Sequence, residues 1–179
     1  MATVLEAPIS EDVTPHAAPA PQEPRTADRI AIIALHGTLD LAYPPLILAT
    51  TAAAMGMKAA IFFTFYGLDI IKKGKADRLK VPPIANPAMP VPVPNIVGML
   101  PGMTGMATMM MNGWMKKAHV AKLGELLEAA QELGVTLIGC QMTMDVMGVK
   151  KEDLIDGVDI GGAATFIEFA SHNAITLAF

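Results

Sequence analysis

Residues 29–35 (RIAIIAL) and 59–65 (AAIFFTF) are two continuous apolar runs that decide the fold. Short runs rich in Ile and Phe predict buried strands, because a strand covered on both faces has no polar side. Residues 46–57 between them are rich in Ala and Leu, and Gly56 stands where a helix would stop. The ordered chain is therefore expected to begin with a strand, a helix and a second strand.

Strands and helices continue to alternate along the chain. The pattern predicts a short helix at 68–73, an amphipathic helix at 120–133 and a strand at 135–139 (VTLIG). A further helix is expected at 161–171 and a last strand at 174–177. This alternation favours an α/β fold of the flavodoxin-like, doubly wound class, with a mainly parallel sheet and helices on both faces.

The chain divides into a leader and one domain with an insertion. Residues 1–28, rich in Pro and Ala, are expected to be a disordered leader without a secretory signal, or else a docking segment. Residues 29–179 are expected to form a single domain, since the 179-residue chain is 53% hydrophobic and 17% charged. Residues 81–115 are an insertion in this domain. These 35 residues are Pro-rich and then Met-rich, and they include no charged side chain and no histidine.

Composition and charge exclude several classes of function. The net charge is −4, without a Lys/Arg stripe, so no nucleic-acid partner is expected. One cysteine cannot form an internal disulfide, which fits the reducing cytoplasm. One cysteine and scattered histidines do not give the spacing of a metal site, and no metal or cofactor is expected.

The single cysteine, Cys140, directly follows the strand predicted at 135–139. In an open parallel sheet, reactive groups gather at the carboxyl ends of the strands. There the sulfur would meet free backbone N–H groups and the positive end of a helix, which favour the thiolate and lower the pKa of the thiol. The thiolate attacks a sulfane sulfur and holds it as a persulfide, provided that partners can reach it. A buried cysteine that only packs is the alternative, and position alone does not decide between the two.

Six further side chains are expected near the same edge of the sheet: His36, Tyr43, Tyr66, Gln141, Thr143 and Asp145. The imidazole, hydroxyl and amide groups would stabilise a thiolate or persulfide by hydrogen bonding. The carboxylate would exchange protons near the sulfur or cap the following helix. Each also has an ordinary structural interpretation as a turn residue, a cap or a half-buried tyrosine with a hydroxyl partner.

Residues 96–115 contain seven methionines and allow several interpretations. Met103, Met106, Met109 and Met110 have the spacing of copper(I) thioether ligands. The segment is also long enough to enter a bilayer, but a spanning helix would place the two halves of one sheet on opposite sides of the membrane. Burial in an oligomer interface or over the Cys140 edge is therefore favoured, and membrane contact is not expected.

Residues 140–148 (CQMTMDVMG) and 150–166 (KKEDLIDGVDIGGAATF) resemble the DsrE/DsrF-like family, in particular its branch with a methionine-rich insertion. Residues 52–68 (AAAMGMKAAIFFTFYGL) are similar to the same branch, and the resemblance covers residues 29–179. It implies a flavodoxin-like fold, an oligomer, and a sulfur carrier or sulfurtransferase-like protein rather than a high-turnover enzyme.

The resemblance implies that Cys140 accepts a sulfane sulfur from a rhodanese-like or TusA-like partner and passes it on. Some relatives have a second cysteine, which this chain lacks. Transfer to a thiol of a partner protein is therefore the simple option, and a homo-oligomer is expected. A different class stays open: a non-catalytic module that binds proteins or membranes through its Met-rich segment.

Overall fold

The computed structural model of the chain describes residues 27–82 and 102–179. These residues form a five-stranded sheet whose strands all run parallel. Most of the predicted leader (1–26) and the Pro-rich part of the insertion (83–101) lie outside the described residues. The strands are β1 (Arg29–Ala34), β2 (Lys58–Phe63), β3 (Thr136–Cys140), β4 (Val158–Gly161) and β5 (Ala174–Ala178), in the spatial order β4-β3-β2-β1-β5.

Five α-helices are found in the described part of the chain: α1 (Leu39–Ala54), α2 (Met103–Lys117), α3 (Leu123–Glu132), α4 (Gln141–Met147) and α5 (Ala163–Ala170). Short 3₁₀ helices occupy Phe65–Ile71, Ala76–Arg78 and Lys151–Asp153. Helices α1 and α3 pack on one face of the sheet, and α5 covers part of the other. The prediction of a doubly wound, parallel α/β fold is confirmed.

The strand order explains this division of the helices. The connections from β1 to β4 all step in one direction across the sheet, whereas the connection from β4 to β5 returns past β1. Right-handed crossovers that run in opposite directions must lie on opposite faces. A large core consequently fills the α1/α3 side, and a smaller apolar cluster lies on the α5 side, where the rings of Phe62 and Phe166 are 5.5 Å apart.

Several elements differ from the sequence prediction. Strand β4 (Val158–Gly161) was not predicted, because it is only four residues long and carries an exposed Asp159 in its middle. The helix expected at 161–171 begins after this strand, at Ala163. The short helix expected at 68–73 is a 3₁₀ helix that begins earlier, at Phe65.

The turn that follows β2 is held tightly against β1. The N–H of Gly67 donates to the carbonyl oxygen of Leu35 at 3.1 Å. A Cβ on Gly67 would overlap the carbonyl oxygen of Ala34, so only glycine allows this approach. This contact fixes the position of the residues that directly follow β2.

Helix α2 contains the second part of the Met-rich segment and lies on the protein surface. It has no buried residue, and the side chain of Met109 is 76% exposed. Met111 packs against the large core, and the N–H of Val81 donates to Thr108 Oγ1 at 3.1 Å. Among the helices in residues 27–82 and 102–179, none has both the length and the apolar character needed to cross a bilayer.

Candidate functional site

Cys140 stands at the junction of a strand and a helix. It is the last residue of β3 and the N-cap of α4, so the strand runs directly into the helix. Strand β3 lies between β2 and β4, and Cys140 is in register with Gly161 of β4. The cysteine is therefore at the carboxyl edge of the sheet, as the sequence predicts.

The side chain of Cys140 is buried, with only 4% of the residue exposed. It belongs to the small apolar cluster on the α5 side of the sheet, together with Phe62, Ile138 and Phe166. The sequence leads us to expect a sulfur that partners can reach, but in this conformation it is covered. Sulfur chemistry at Cys140 therefore requires the neighbouring side chains to move apart.

Four hydrogen-bonding groups near the sulfur act on the pKa of the Cys140 thiol. They are the hydroxyl and backbone N–H of Thr143, the hydroxyl of Thr64 and the backbone N–H of Met142. Burial, the largest single effect, raises the pKa of the Cys140 thiol, but the four polar groups together outweigh it and bring the pKa below its ordinary value. The site therefore favours the thiolate inside an apolar cluster, where an unassisted cysteine would remain protonated.

The two threonines form a buried hydroxyl pair beside the sulfur. Thr64 Oγ1 and Thr143 Oγ1 are 2.9 Å apart, and both side chains are buried. The backbone N–H of Phe65 donates to Thr143 Oγ1 at 3.3 Å, so this oxygen receives a hydrogen bond from the turn after β2. Each hydroxyl has one hydrogen, so while the two hydroxyls bond to each other, one of the two hydrogens is available to the sulfur.

Thr64 is the residue of this site that sequence reasoning missed. It follows β2 directly, and β2 lies next to β3 in the sheet. A polar residue at the end of an apolar run was the available signal. This polar residue can be assigned to the site only when the strand order is known, because the order places the ends of β2 and β3 side by side.

The predicted neighbours Gln141 and Asp145 pair with each other. Gln141 Nε2 donates to Asp145 Oδ1 at 2.7 Å, across one turn of α4, and both residues are exposed. The amide of Gln141 is thus engaged by the carboxylate of Asp145. Of the three polar side chains predicted in α4, the structure brings Thr143 to the sulfur.

Tyr43 lies on the other face of the sheet. It packs against the large core, and its hydroxyl donates to the carbonyl oxygen of Ala121 at 3.1 Å. Burial, followed by the carboxylates of Asp77 and Glu125, raises the pKa of Tyr43. This tyrosine has the hydroxyl partner that a half-buried tyrosine ordinarily requires.

His36 and Tyr66 occupy the surface at the carboxyl edge of the sheet. His36 follows β1, Tyr66 belongs to the 3₁₀ helix after β2, and both side chains are exposed. The groups that act on the sulfur belong instead to Thr64, Thr143 and Met142. Within residues 27–82 and 102–179, no three His, Cys, Asp or Glu side chains are grouped as metal ligands.

The fold and the site define a parallel α/β domain with a hydrogen-bonded thiol at the end of an inner strand. The chain belongs to the DsrE/DsrF/DrsH-like family, whose model matches residues 26–178. This match confirms the resemblance to the DsrE/DsrF-like family.

Several known proteins are similar to this chain. A protein named sulfur carrier protein DsrE2, from Allochromatium vinosum, is 49% identical over 155 residues, covering 83% of this chain and 96% of that protein. YrkE of Bacillus subtilis, an uncharacterised protein, is 33% identical over 159 residues, covering 83% and 95% of the two chains. The solved structure of MTH1491 from Methanobacterium thermoautotrophicum, a protein of unknown function, covers 84% of this chain and 98% of its own, with a TM-score of 0.48 and 9% identity.

Proposed function

We propose that this protein is a sulfur carrier that accepts a sulfane sulfur as a persulfide on Cys140 and delivers it to a thiol of a partner protein. One observation carries the proposal: a single buried thiol is surrounded by hydrogen-bond donors that favour its anion. The name of the relative that is 49% identical, a sulfur carrier protein, supports the same function.

The transfer needs no external oxidant. The Cys140 thiolate attacks the outer sulfur of a donor persulfide, R–S–SH, forms a new S–S bond and releases the donor as R–S⁻. The persulfide proton moves with the transferred sulfur or is lost to water. An acceptor thiolate then attacks the outer sulfur on Cys140, the S–S bond breaks, and Cys140 leaves as a thiolate. Atoms and electrons balance in both steps.

The hydrogen-bond donors act at both stages. Before attack, the hydroxyls of Thr64 and Thr143 and the two backbone N–H groups raise the fraction of Cys140 present as the nucleophilic thiolate. During delivery the same donors stabilise the Cys140 thiolate as a leaving group, since a thiol of lower pKa leaves faster. The site is thus suited to pass sulfur on as well as to accept it.

A partner protein supplies the second thiol that this chain lacks. The sequence has no second cysteine to resolve a persulfide, so the acceptor is a thiol of another protein. We propose rhodanese-like or TusA-like proteins as donor and acceptor and the cytoplasm as the compartment, since a lone free thiol suits a reducing environment.

The test is the intact mass of the protein after incubation with polysulfide. The wild type should gain mass in steps of one sulfur atom, reductant should remove the gain, and Cys140→Ser should show none. Cys140→Ser is a close match in size, so it separates loss of the nucleophile from loss of the fold. A wild type that stays unmodified, or a Cys140→Ser variant that gains the same mass, would contradict the proposal.

A second candidate function follows from the surface of α2. Met106, Met109 and Met110 are exposed, Met109 by 76%, which suits a module that binds proteins or membranes. In that case Cys140, at 4% exposure, is a core residue. Wild-type protein that takes up no sulfur under the conditions above supports this candidate.

A further inference from the structure

Helix α5 lies over the part of the sheet that contains Cys140. Cys140 is in register with Gly161 of β4, so the two residues are neighbours on the same face of the sheet. Gly161 has no side chain, and a Cβ there would lie 3.0 Å from Thr165 Oγ1 in α5 and 3.1 Å from Ile138 Cγ2 in β3. The first turn of α5 therefore rests directly on the sheet beside Cys140.

Phe166 joins α5 to the small apolar cluster that contains Cys140. Its ring is 5.5 Å from the ring of Phe62, and both residues belong to the cluster. Phe62 is in register with Ile138, which precedes Cys140 by two residues and so points to the same face of β3. Among residues 163–170, Phe166 alone is buried. It is therefore the deepest contact between α5 and this face of the sheet.

The beginning of α5 has few other restraints. Gly161 and Gly162 precede the helix, and its N-cap, Gly162, has no side chain that could accept a helix N–H. The hydrogen bond from the N–H of Phe166 to the carbonyl oxygen of Gly162 is long, at 3.4 Å. A helix of eight residues is too short to be stable without packing. The N-terminal half of α5 is therefore held on the sheet mainly by Phe166.

The C-terminal end of α5 has a separate anchor. Arg29, the first residue of β1, lies over the ring of Phe169, with its guanidinium carbon 5.3 Å from the ring centre. Arg29 Nη1 also donates to the carbonyl oxygen of Phe169 at 3.5 Å. Arg29 is at the amino edge of the sheet, whereas Cys140 is at the carboxyl edge. The half of α5 near Cys140 can therefore lift while the other half stays attached through Phe169.

The polar groups that act on the sulfur come from elements other than α5. Thr64 directly follows β2, and Thr143 and Met142 belong to α4. If α4 moved away to expose the thiol, the groups of Thr143 and Met142 would leave with it. If α5 moves instead, the sulfur becomes accessible and these groups stay beside it. Movement of α5 is therefore the opening that preserves the thiolate site.

We infer that α5 is a lid over Cys140 and that Phe166 holds this lid closed, so that sulfur donors and acceptors reach the thiol when the N-terminal half of α5 lifts from the sheet. The inference rests on the proposed function and names the step that regulates access to the same site. In the closed state the apolar cluster keeps water and reagents away from the sulfur. In the open state the sulfur is exposed at the carboxyl edge of the sheet, with the neighbouring groups of α4 in place.

The experiment measures access to the thiol with a reagent that transfers no sulfur. Full-length wild type, Phe166→Ala and Gly162→Ser are alkylated with iodoacetamide in native buffer, and the rate is followed by intact mass. Gly162→Ser gives α5 an N-cap hydroxyl, and a Cβ at this position meets open space. Leu127→Ala is the matched control. Leu127 and Phe166 are both 4% exposed, but Leu127 belongs to α3 on the opposite face of the sheet.

The two substitutions in the lid should change the alkylation rate in opposite directions. Phe166→Ala should react roughly tenfold faster or more, because loss of a buried aromatic ring favours the open lid. Gly162→Ser should react about twofold more slowly, because the new cap favours the closed helix. Leu127→Ala loses stability in the large core, but its rate should stay at the wild-type value. The pH midpoint of alkylation should not rise in Phe166→Ala, because the groups beside the sulfur remain.

Three results would overturn the lid. Equal rates for the wild type and Phe166→Ala would show that α5 does not limit access to the thiol. A Leu127→Ala protein that reacts as fast as Phe166→Ala would show that access requires unfolding of the whole domain. A pH midpoint that rises in Phe166→Ala towards the value of a free cysteine would show that opening removes the groups of α4.

The same four proteins separate the lid from the carrier function. With glutathione persulfide as the donor, the rates of sulfur uptake should follow the order of the alkylation rates. If the alkylation rates have the expected order but no protein takes up sulfur, the carrier function is wrong and α5 still covers the thiol. If sulfur is taken up but all alkylation rates are equal, the lid is wrong and the carrier function stands.

Discussion

Two buried hydroxyl groups help to set the pKa of the Cys140 thiol. Among Phe62, Ile138 and Phe166 alone, burial would keep the thiol protonated and inert. The pair of Thr64 and Thr143, 2.9 Å apart, acts in the same buried space and, together with the backbone N–H groups of Thr143 and Met142, brings the pKa of the thiol below its ordinary value. The site therefore consists of three polar side chains, Cys140, Thr64 and Thr143, at the end of an apolar strand.

Replacing Thr64 by Val should raise the pKa of Cys140. The substitution preserves the shape of the side chain but removes one donor to the sulfur, and a hydrogen bond to an ionised group contributes about 1.5–3 kcal/mol. The rate of iodoacetamide alkylation at neutral pH should fall on the order of tenfold, with its midpoint at higher pH. Thr64→Ser, which retains the hydroxyl, should behave as the wild type. An identical pH profile for Thr64→Val would show that Thr64 does not act on the thiol.

The lowered pKa also links stability to pH. Because the folded pKa of Cys140 lies below its ordinary value of 9.0, the native state loses the proton at a lower pH than the unfolded chain does. The stability contributed by Cys140 should be fully present above the unfolded pKa and should disappear as pH falls through the folded pKa. Urea unfolding across this range should show that the unfolding free energy of the wild type increases relative to that of Cys140→Ser as pH rises. A difference between the two proteins that is constant with pH would contradict the thiolate assignment.

At this scale the sequence predicts the position of Cys140 and the contact of Thr143, because both follow from a strand that runs into a helix. The role of Thr64 and the burial of the thiol could not be predicted. Both depend on which strand lies next to β3 and on which helix covers its face, and these are long-range contacts that no local pattern encodes.

At the scale of the elements, the residues of the site lie at the end of a strand or directly after it. Continuous apolar runs identify β1, β2 and β3, since buried parallel strands have no polar face. Strand β4 was not predicted, because a four-residue segment with an exposed Asp159 lacks that pattern. The turn after β2 matters as much as the strands do, since it places Thr64 beside the sulfur and the N–H of Phe65 at Thr143 Oγ1.

Gly67→Ala should disturb this turn. The new Cβ would overlap the carbonyl oxygen of Ala34, and relief requires a backbone shift that costs about 1–3 kcal/mol of unfolding free energy. Gly105→Ala is the matched control. It lies in α2 with open space around it and should be neutral or stabilise the protein by up to about 1 kcal/mol. Urea denaturation measures both variants, and a Gly67→Ala protein as stable as the wild type would show that the turn is not fixed by this contact.

The described part of the chain covers its sheet unevenly. Within residues 27–82 and 102–179, helices α1 and α3 shield one face, whereas α5 covers part of the other and leaves the edge strand β5 with three exposed residues. Parallel sheets are normally covered on both faces. Exposed Ile167 of α5 and Ile175 of β5 lie in this thinly covered region.

The uneven covering favours a homo-oligomer, which the family resemblance also implies. Sedimentation equilibrium should give a mass above that of one chain. Ile175→Lys should shift the protein towards the monomer, because it places a charge on an exposed apolar edge strand. Lys58→Glu, at an exposed site with a charged side chain already, should leave the assembly unchanged. A monomeric wild type at micromolar concentration would contradict this prediction.

The central claim is that Cys140 takes up sulfur and gives it away. The most direct measurement loads the protein with radiolabelled sulfane sulfur, removes the donor by gel filtration, and adds a partner protein with a free thiol. Label should stay on the wild type until the acceptor arrives and then move to it, while Cys140→Ser carries none at either stage. Label that never binds to the wild type, or that binds equally to Cys140→Ser, would contradict the account.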